Sequence, residues 1–413
     1  MRFQPASTRP ARFLPVAAAL AALALAGCGK GSQSVGHASG GGPVPSVAPV
    51  AQEGAVTVTT RNTTRVGGNE AVVDGAAVAR VVYPGLTPGS RPDAVVVVDR
   101  GNWTAALAAS ALAAAPLNAP LLFAEGNSLP QVSREAIEAM HPRGSAALAG
   151  VQVIRVGTEA AVPAGYRAST LPSTDPAGEV EQLLAKTTGS TPREAIVLGV
   201  EGPRSLQMAA PGLAAESAAP LLPLGAGPLT GASEALLRSM HHPAIYVMNA
   251  AHVSRSALGS LARLGRVTSI PASEGGEAIT PTRASIAAAR FTDGSFGWGV
   301  KDPGHGLVFA RSSRALDAPA AALLSATGDY GPMLLLESAL GLPPELAAYL
   351  ADIEPAYGTS PEFAPVRGVY NHGWLIGDET AISLATQAEL DSLLEIKPTK
   401  QGAAEEAAVK QAE

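Results

Sequence analysis

Arginine recurs at one place in a repeated pattern, close to the end of a short apolar run. The runs are 95–98, 195–198 and 307–310, and the arginines are Arg100, Arg204, Arg311 and Arg314. Asn102 and Trp103, Ser205, and Ser313 accompany them, near the start of the helix that we predict next. A guanidinium presents a fork of donors that suits phosphate or carboxylate, and backbone N–H groups at a helix start favour anions. The pattern therefore predicts an anion-binding site formed by these residues.

These arginines also have a second interpretation. They can be solvated loop residues, or they can pair with the nearby carboxylates of Asp99, Glu201 and Asp317. The sequence leaves both interpretations open. Whether the arginines converge in space decides between them.

The elements that position these residues are clearest in the stretch 92–125. It contains a four-valine run, a polar tip, an Ala/Leu segment and a second apolar run after Pro120. Short apolar runs without polar alternation are typical of strands covered on both faces, which are normally parallel and joined by a helix. We therefore predict strand, helix, strand, with the polar tip at the carboxyl end of the first strand, where α/β sheets usually bind ligands.

The same order of elements occurs three times. The distance from the first strand to the proline that opens the second strand is 24 or 25 residues each time, at Pro120, Pro220 and Pro332. A third apolar run follows in each case, at 153–156, 245–248 and 374–376. This predicts an α/β protein of three tandem modules, 61–166, 167–270 and 271–396, followed by a polar tail, 397–413, that we expect to be disordered.

The third module carries two insertions that the others lack. The first contains Phe291, Phe296, Trp298 and His305, and the second spans 354–370. Aromatic residues make up 4% of the chain, so their concentration here suggests recognition loops. Packing between modules is an equally good interpretation.

Composition narrows the function classes. Charged residues are 15% of the 413 and hydrophobic ones 46%, which is typical of a globular chain. The net charge is −6 and the sequence has no basic stripe, so nucleic acid is not a predicted partner. The usual motifs for zinc, phosphate-loop and serine-nucleophile chemistry are missing from the sequence, and we predict no metal, no cofactor and no catalysis. His241-His242 fits a helix end meeting exposed carbonyls.

The start of the chain predicts a bacterial lipoprotein leader. Three arginines precede an apolar stretch that ends in Leu25-Ala26-Gly27-Cys28, which resembles a lipobox. We predict a signal peptide at 1–27, lipidation of Cys28, and a Gly/Ser/Pro-rich flexible tether at 28–60. This would hold the protein at the outer face of the cell membrane, within the cell wall.

The three modules resemble the cell-wall-binding repeat 2 family. The resemblance is carried by Arg65-Val66-Gly67-Gly68-Asn69, the strand 94–98, the segment 102–108, Ala119-Pro120-Leu121-Leu122, and Val156-Gly157 with Val162-Pro163. Thr104 and Ser205 stand where the family usually opens its central helix with Asp-Ala-Leu. The resemblance implies Rossmann-like modules with small parallel sheets, packed as a pseudo-threefold triangle, and noncovalent attachment to anionic cell-wall polysaccharide or teichoic-type polymer.

Two hypotheses therefore remain. The first is a lipid-anchored envelope protein that binds wall polymers. The second is a solute-binding lipoprotein of a transporter, because such proteins also combine a lipobox, a tether and α/β lobes. Three similar modules favour the first, because a solute receptor needs two lobes around a cleft.

Overall fold

The computed structural model describes residues 56–172, 174–273, 277–326, 331–357, 365–367 and 370–398. The predicted signal peptide, Cys28, residues 28–55 of the predicted tether 28–60 and residues 399–413 of the predicted tail 397–413 lie outside the described residues. The described end of the tether, Val56–Thr59, and the described start of the tail, Lys397–Pro398, form short strands.

The described residues form sixteen β-strands and eleven α-helices. In chain order, β1 to β16 are Val56–Thr59, Thr63–Gly67, Val95–Asp99, Leu121–Ala124, Val153–Val156, Ala168–Leu171, Glu194–Gly199, Leu221–Leu224, Ala244–Met248, Arg266–Ser269, Gly306–Arg311, Met333–Leu336, Ala356–Tyr357, Pro365–Arg367, His372–Ile376 and Lys397–Pro398. The helices α1 to α11 are Ala71–Val82, Trp103–Ala109, Gln131–Met140, Pro176–Thr188, Ala209–Ser217, Gly231–Ser239, Arg255–Leu264, Pro281–Arg290, Asp317–Ala326, Pro344–Asp352 and Leu384–Leu394.

Three small sheets share one strand order. The first sheet is β4-β3-β5-β6 and the second is β8-β7-β9-β10, and all pairings in both are parallel. The third is β12-β11-β15-β2, also parallel, with β1 added antiparallel at its edge. A fourth, minor sheet contains β14, β13 and β16. The predicted α/β class, with small parallel sheets flanked by helices, is confirmed. The Rossmann-like character and the threefold triangle remain predictions.

The repeated strand–helix–strand stretch folds as predicted. In the first sheet β3 pairs with β4, and the side chains of Val95 to Val98 are fully buried because helices and neighbouring strands cover both faces. The repeated proline precedes the edge strand each time. Its carbonyl accepts a hydrogen bond from the central strand: from Val96 to Pro120, from Ile196 to Pro220 and from Val308 to Pro332. Proline is tolerated here because its missing N–H would lie at a sheet edge.

The three crossover helices pack against one another. The helix α5 lies against α9 and against the 3₁₀ turn Ser110–Ala113 that continues α2. All ten residues of α9 are buried, and the buried face of α5 is rich in alanine. A helix that is apolar on every side is typical of a buried core, and small side chains allow the three helices to approach closely.

The fourth strand of each sheet leads into a helix that packs on the next sheet. After β6 of the first sheet, α4 packs on β8; after β10 of the second, α8 packs on β12. The third sheet completes the cycle, because its fourth strand is β2, and the following helix α1 packs on β4 of the first sheet. We call the contacts of β2 with β15 and of α1 with α9 the closing seam.

The sheets therefore cross the predicted module boundaries. We expected Arg65 to Asn69 to open the first module, but Arg65, Val66 and Gly67 lie in β2, within the third sheet. The physical reason is that β15 has an open edge, since the chain after it continues into α11 instead of a strand. As folding units, the ranges 61–166, 167–270 and 271–396 remain predictions.

The first insertion of the third module contributes to packing. Phe296 is buried and stacks on Tyr246 of β9, with the ring centroids 3.6 Å apart. Tyr246 also accepts a hydrogen bond from Arg266 and donates one to Asp293. This part of the insertion packs against the second sheet. Much of the second insertion lies outside the described residues.

Candidate functional site

A cleft of about 540 Å³ opens where the crossover elements of the three sheets meet. Its lining comes from the loop before α1, the loops after β3 and β11, and the turn after β7. The lining residues are Asn69, Glu70, Ala71, Arg100, Arg204, Ser205, Ser312, Ser313, Arg314, Ala315, Leu316 and Asp317. Three of the four predicted arginines, with Ser205 and Ser313, therefore converge.

A second cavity of about 610 Å³ lies beside the cleft and is called the side cavity below. It is lined by Asp99, Gly101, Asn102, Trp103, Thr104, Val200, Gly202 and Arg204. Arg204 lines both cavities.

Arg100 is engaged by carboxylates on its own side of the cleft. Its Nη1 lies 2.6 Å from Glu125 and 3.3 Å from Glu70. The alternative interpretation had Asp99 as its partner, but Asp99 accepts hydrogen bonds from the backbone N–H groups of Gly101 and Gly126. All three charged side chains are substantially exposed, so water screens the pairing.

Arg204 has a different environment. Its guanidinium carbon lies 5.3 Å from the centre of the Trp103 ring, a cation–π geometry. Among the residues that the structure describes, no carboxylate forms an ion pair with it; Glu201 instead accepts from the backbone N–H of Ala226. Arg204 is exposed, and its donors are available to a ligand in either cavity.

The ring of Trp103 packs against the guanidinium of Arg204. Its indole is 6% exposed, and Nε1–H donates to Oε1 of Gln207 over 2.7 Å. Gln207 is fully buried and donates to the carbonyl of Val200. Trp103 is therefore a positioning residue with its ring edge already engaged. Gln207 was not identified from the sequence, although an amide at the start of an apolar helical stretch is a signal for a buried polar contact.

Arg314 is held by two buried carboxylates. Its Nε lies 2.7 Å from Oδ2 of Asp317, and its Nη2 contacts Oδ2 of Asp74. It also donates to the carbonyl of Asn69. The pairing with Asp317 agrees with the alternative interpretation. Asp74 was not identified from the sequence, although a carboxylate in the apolar helix α1 is a signal for a buried polar contact.

Burial raises the pKa of Asp74, and burial followed by the charge of Asp74 raises the pKa of Asp317 well above the usual range. Arg314 opposes both shifts. A carboxylate without water or a full set of partners favours its neutral form.

Arg311 and the helix starts do not contribute as expected. Arg311 does not line the cleft and donates to the carbonyl of Thr380. Asn102 is the N-cap of α2, with its side-chain oxygen accepting from the N–H of Ala105. At α9 the first helical residue is the acidic Asp317. Among the side chains that line the cleft, guanidinium and hydroxyl groups are those that can donate hydrogen bonds to an anion.

The histidine pair lies at a turn. His241 and His242 have left-handed backbone conformations, and Nδ1 of His241 lies 2.6 Å from the carbonyl of Ser239. Within the described residues no group of three or more His, Cys, Asp or Glu side chains is arranged to hold a metal ion.

Comparison with known proteins identifies similar folds. No family model matches the chain, and no curated protein matches it. Among solved structures, Cwp6 from Clostridium difficile is similar with a TM-score of 0.59 and 12% identity, over 83% of this chain and 51% of that one. Cwp8 from Clostridium difficile has a TM-score of 0.59 and 18% identity, over 82% and 53%. The chain spans about half the length of these structures, and at such identities the likeness concerns the fold.

In the part of the chain that the structure describes, no helix combines the length and the apolar character needed to cross a bilayer.

Proposed function

We propose that this protein binds an anionic cell-wall polymer, polysaccharide or teichoic-type, noncovalently in the cleft and the side cavity, and that it does so without catalysis. The observation that carries the proposal is Arg204. It is exposed, has no carboxylate partner among the described residues, and borders both cavities. A guanidinium in this position can form two parallel hydrogen bonds to one phosphate or carboxylate.

The rest of the lining suits a sugar-containing ligand. Ser205, Ser312 and Ser313 offer hydroxyl groups around Arg204, and hydroxyls both donate and accept hydrogen bonds. The charges of Arg100 and Arg314 are offset by carboxylates, so the cleft is not strongly basic. We therefore expect moderate affinity per site and a clear dependence on salt.

The extent of the two cavities favours an extended ligand. They lie on either side of one arginine, so a chain crossing from one to the other would place an anionic group at Arg204. The fold likeness to the cell wall proteins Cwp6 and Cwp8 supports wall association as the setting for such a ligand.

The anchor completes the proposal. Leu25-Ala26-Gly27-Cys28 favours lipid attachment at Cys28, with the protein held at the outer face of the cell membrane. The tether before Val56 would let the binding domain reach wall polymer. These residues lie outside the described part of the chain, and the sequence pattern supports the lipid anchor and the tether.

Sedimentation with purified cell walls tests the proposal. The full chain with Cys28→Ser, which cannot be lipidated, is expected to pellet with intact walls and to remain in the supernatant when anionic polymers have been stripped from them. Equal pelleting with stripped walls would contradict an anionic ligand. A small solute that raises the melting temperature, with no wall pelleting, would instead support a solute-binding protein.

A further inference from the structure

Asp74 and Asp317 use one edge of a single guanidinium. The Nε–H and Nη2–H of Arg314 form the edge that normally binds the two oxygens of one carboxylate. Here each position takes Oδ2 of a different residue, Asp317 at Nε and Asp74 at Nη2. The two Oδ2 atoms therefore lie close together on one edge of the guanidinium.

Neither carboxylate is exposed to water that could stabilise its charge. Both side chains are fully buried. Oδ1 of Asp74 accepts from the N–H of Gly68, while Oδ1 of Asp317 has no hydrogen-bond partner among the described residues. Two carboxylates in one dry site cannot both ionise beside a single cation without a large cost. One proton between them removes the repulsion and leaves one negative charge for Arg314.

We propose that Asp74 and Asp317 share one proton, which resides mainly on Asp317, and that this proton makes the closing seam sensitive to pH. The positions of the two aspartates explain why the proton would affect the closing seam. Asp74 lies on α1, which follows β2, while Asp317 is the first residue of α9 and Arg314 lies in the loop before it. Loss of the proton places two like charges across the contact of α1 with α9, and thereby loosens β2 from β15.

Other charged groups lie on or beside the elements that pack against α1 and α9, or line the cleft. They are Glu70 before α1, Arg80 on α1, Arg100 after β3, Glu125 after β4, Arg204 after β7, Arg311 at the end of β11, Asp378 after β15, Arg65 on β2, Glu216 on α5, and Arg134, Glu135 and Glu138 on α3. Arg100 pairs with both Glu70 and Glu125, and Arg311 and Arg65 donate to backbone carbonyls. Arg314 is the cation that bonds both carboxylates directly.

The direction of the effect follows from proton linkage. Because Asp317 holds its proton more tightly in the folded protein than in the unfolded chain, folding takes up a proton above the ordinary pKa of aspartate. The stabilisation is complete below the unfolded pKa and is lost as pH rises through the folded pKa. Within that window the unfolding equilibrium constant grows by up to tenfold per pH unit.

The first test measures urea unfolding of the full chain between pH 4 and 9, for wild type and Asp317→Asn. Asparagine cannot titrate and can still donate to Asp74. We expect the unfolding constant of the variant to rise less steeply with pH, by about one proton. Identical slopes would overturn the proposal.

A second measurement locates the effect. Hydrogen exchange, corrected for the intrinsic rate, is expected to show protection of Thr63 to Gly67 falling at high pH in wild type and not in Asp317→Asn. The matched control is Glu181→Gln, a buried carboxyl of α4 whose pKa is also raised by burial. It should alter the overall slope while the pH dependence at β2 stays as in wild type. Loss of that dependence in the control would overturn the assignment to the seam.

Wild-type protein suffices if Asp317→Asn does not fold. With ¹³C-labelled aspartate, infrared spectroscopy distinguishes a protonated aspartic acid from a protonated glutamic acid. We expect the band of a protonated aspartic acid at pH 7, disappearing at high pH as protection of β2 falls. Absence of the band at pH 7 would overturn the proposal.

Discussion

Arg204 lies over the indole of Trp103, and the two residues come from the crossover elements of different sheets. Trp103 begins α2, which follows β3, while Arg204 begins the 3₁₀ turn that leads from β7 to α5. The indole is fixed in turn by Gln207 of that same turn. The packing of the first two sheets thus presents one arginine, free of carboxylate partners among the described residues, to the two cavities.

Arg204→Glu is expected to weaken binding to purified walls about 10-fold to 100-fold, because a charge-assisted hydrogen bond contributes about 1.5–3 kcal/mol and reversal adds repulsion. The melting temperature should hardly change, since the residue is exposed. The matched control is Arg263→Glu on α7, also exposed, which donates to Ser260 away from both cavities. Pelleting unchanged by Arg204→Glu, or reduced equally by both variants, would argue against a specific contact.

Trp103→Phe should destabilise the fold by about 1–3 kcal/mol, because it leaves the buried oxygen of Gln207 without its donor. Wall binding should be largely retained, since phenylalanine still presents a ring face to Arg204. A double-mutant cycle with Gln207→Met checks the cause: the double variant should cost less than the sum of the single ones, by about 0.5–3 kcal/mol. Additive costs would mean that the hydrogen bond is unimportant.

Arg65→Ala is expected to cost about 3–5 kcal/mol in the free energy of unfolding, because truncation leaves several buried acceptors unpaired. The guanidinium is 1% exposed and donates to the carbonyls of Gly377, Asp378 and Ile382 and to the side chain of Gln387. Hydrogen exchange should increase first in β2 and β15.

The control for this variant is Arg61→Ala. Arg61 pairs with Glu395 but its side chain is 75% exposed, so the loss should be below about 1 kcal/mol. Chemical denaturation of both variants under the same conditions provides the comparison. A cost for Arg65→Ala as small as that for Arg61→Ala would show that the buried hydrogen bonds of Arg65 contribute little to the stability of the third sheet.

Gly67→Ala should also open the closing seam. Gly67 has φ of +128°, and an added Cβ would lie 2.2 Å from Oδ1 of Asp74 and 2.9 Å from the backbone nitrogen of Gly377. Backbone strain and overpacking each contribute about 1–3 kcal/mol. We expect a clear fall in melting temperature, together with loss of protection at the N–H of Gly68, which donates to Asp74.

Gly126→Ala separates backbone strain from the clash. Gly126 has φ of +58°, and an added Cβ would meet no atom within 4 Å, so alanine should cost only about 1–2 kcal/mol. If both alanine variants lost the same stability, the close approach of Gly67 to Asp74 would have no energetic importance.

The amino-acid sequence by itself determined the local elements and their repetition. The stretch 92–125 forms the predicted strand, helix and strand, and the runs after Pro120, Pro220 and Pro332 form edge strands, because apolar periodicity and turn residues act over short distances. The sequence also placed Arg100, Arg204 and Arg314 near carboxyl ends of central strands. Each arginine was therefore predicted at the edge of its own sheet where α/β proteins bind ligands. Because the three strands belong to different sheets, only the structure shows that the arginines converge.

Only the tertiary structure decided which partners these residues have. Whether an arginine is free or paired depends on side chains far away in the chain: Asp74 reaches Arg314, Glu125 reaches Arg100, and Gln207 reaches Trp103. The pairing of β2 with β15 likewise joins the two ends of the described chain. Local sequence patterns do not determine which distant strands or side chains pair, because several strands of similar length would fit the same local pattern. The packing of the three crossover helices determines which distant residues meet. It leaves Arg204 without a carboxylate partner among the described residues.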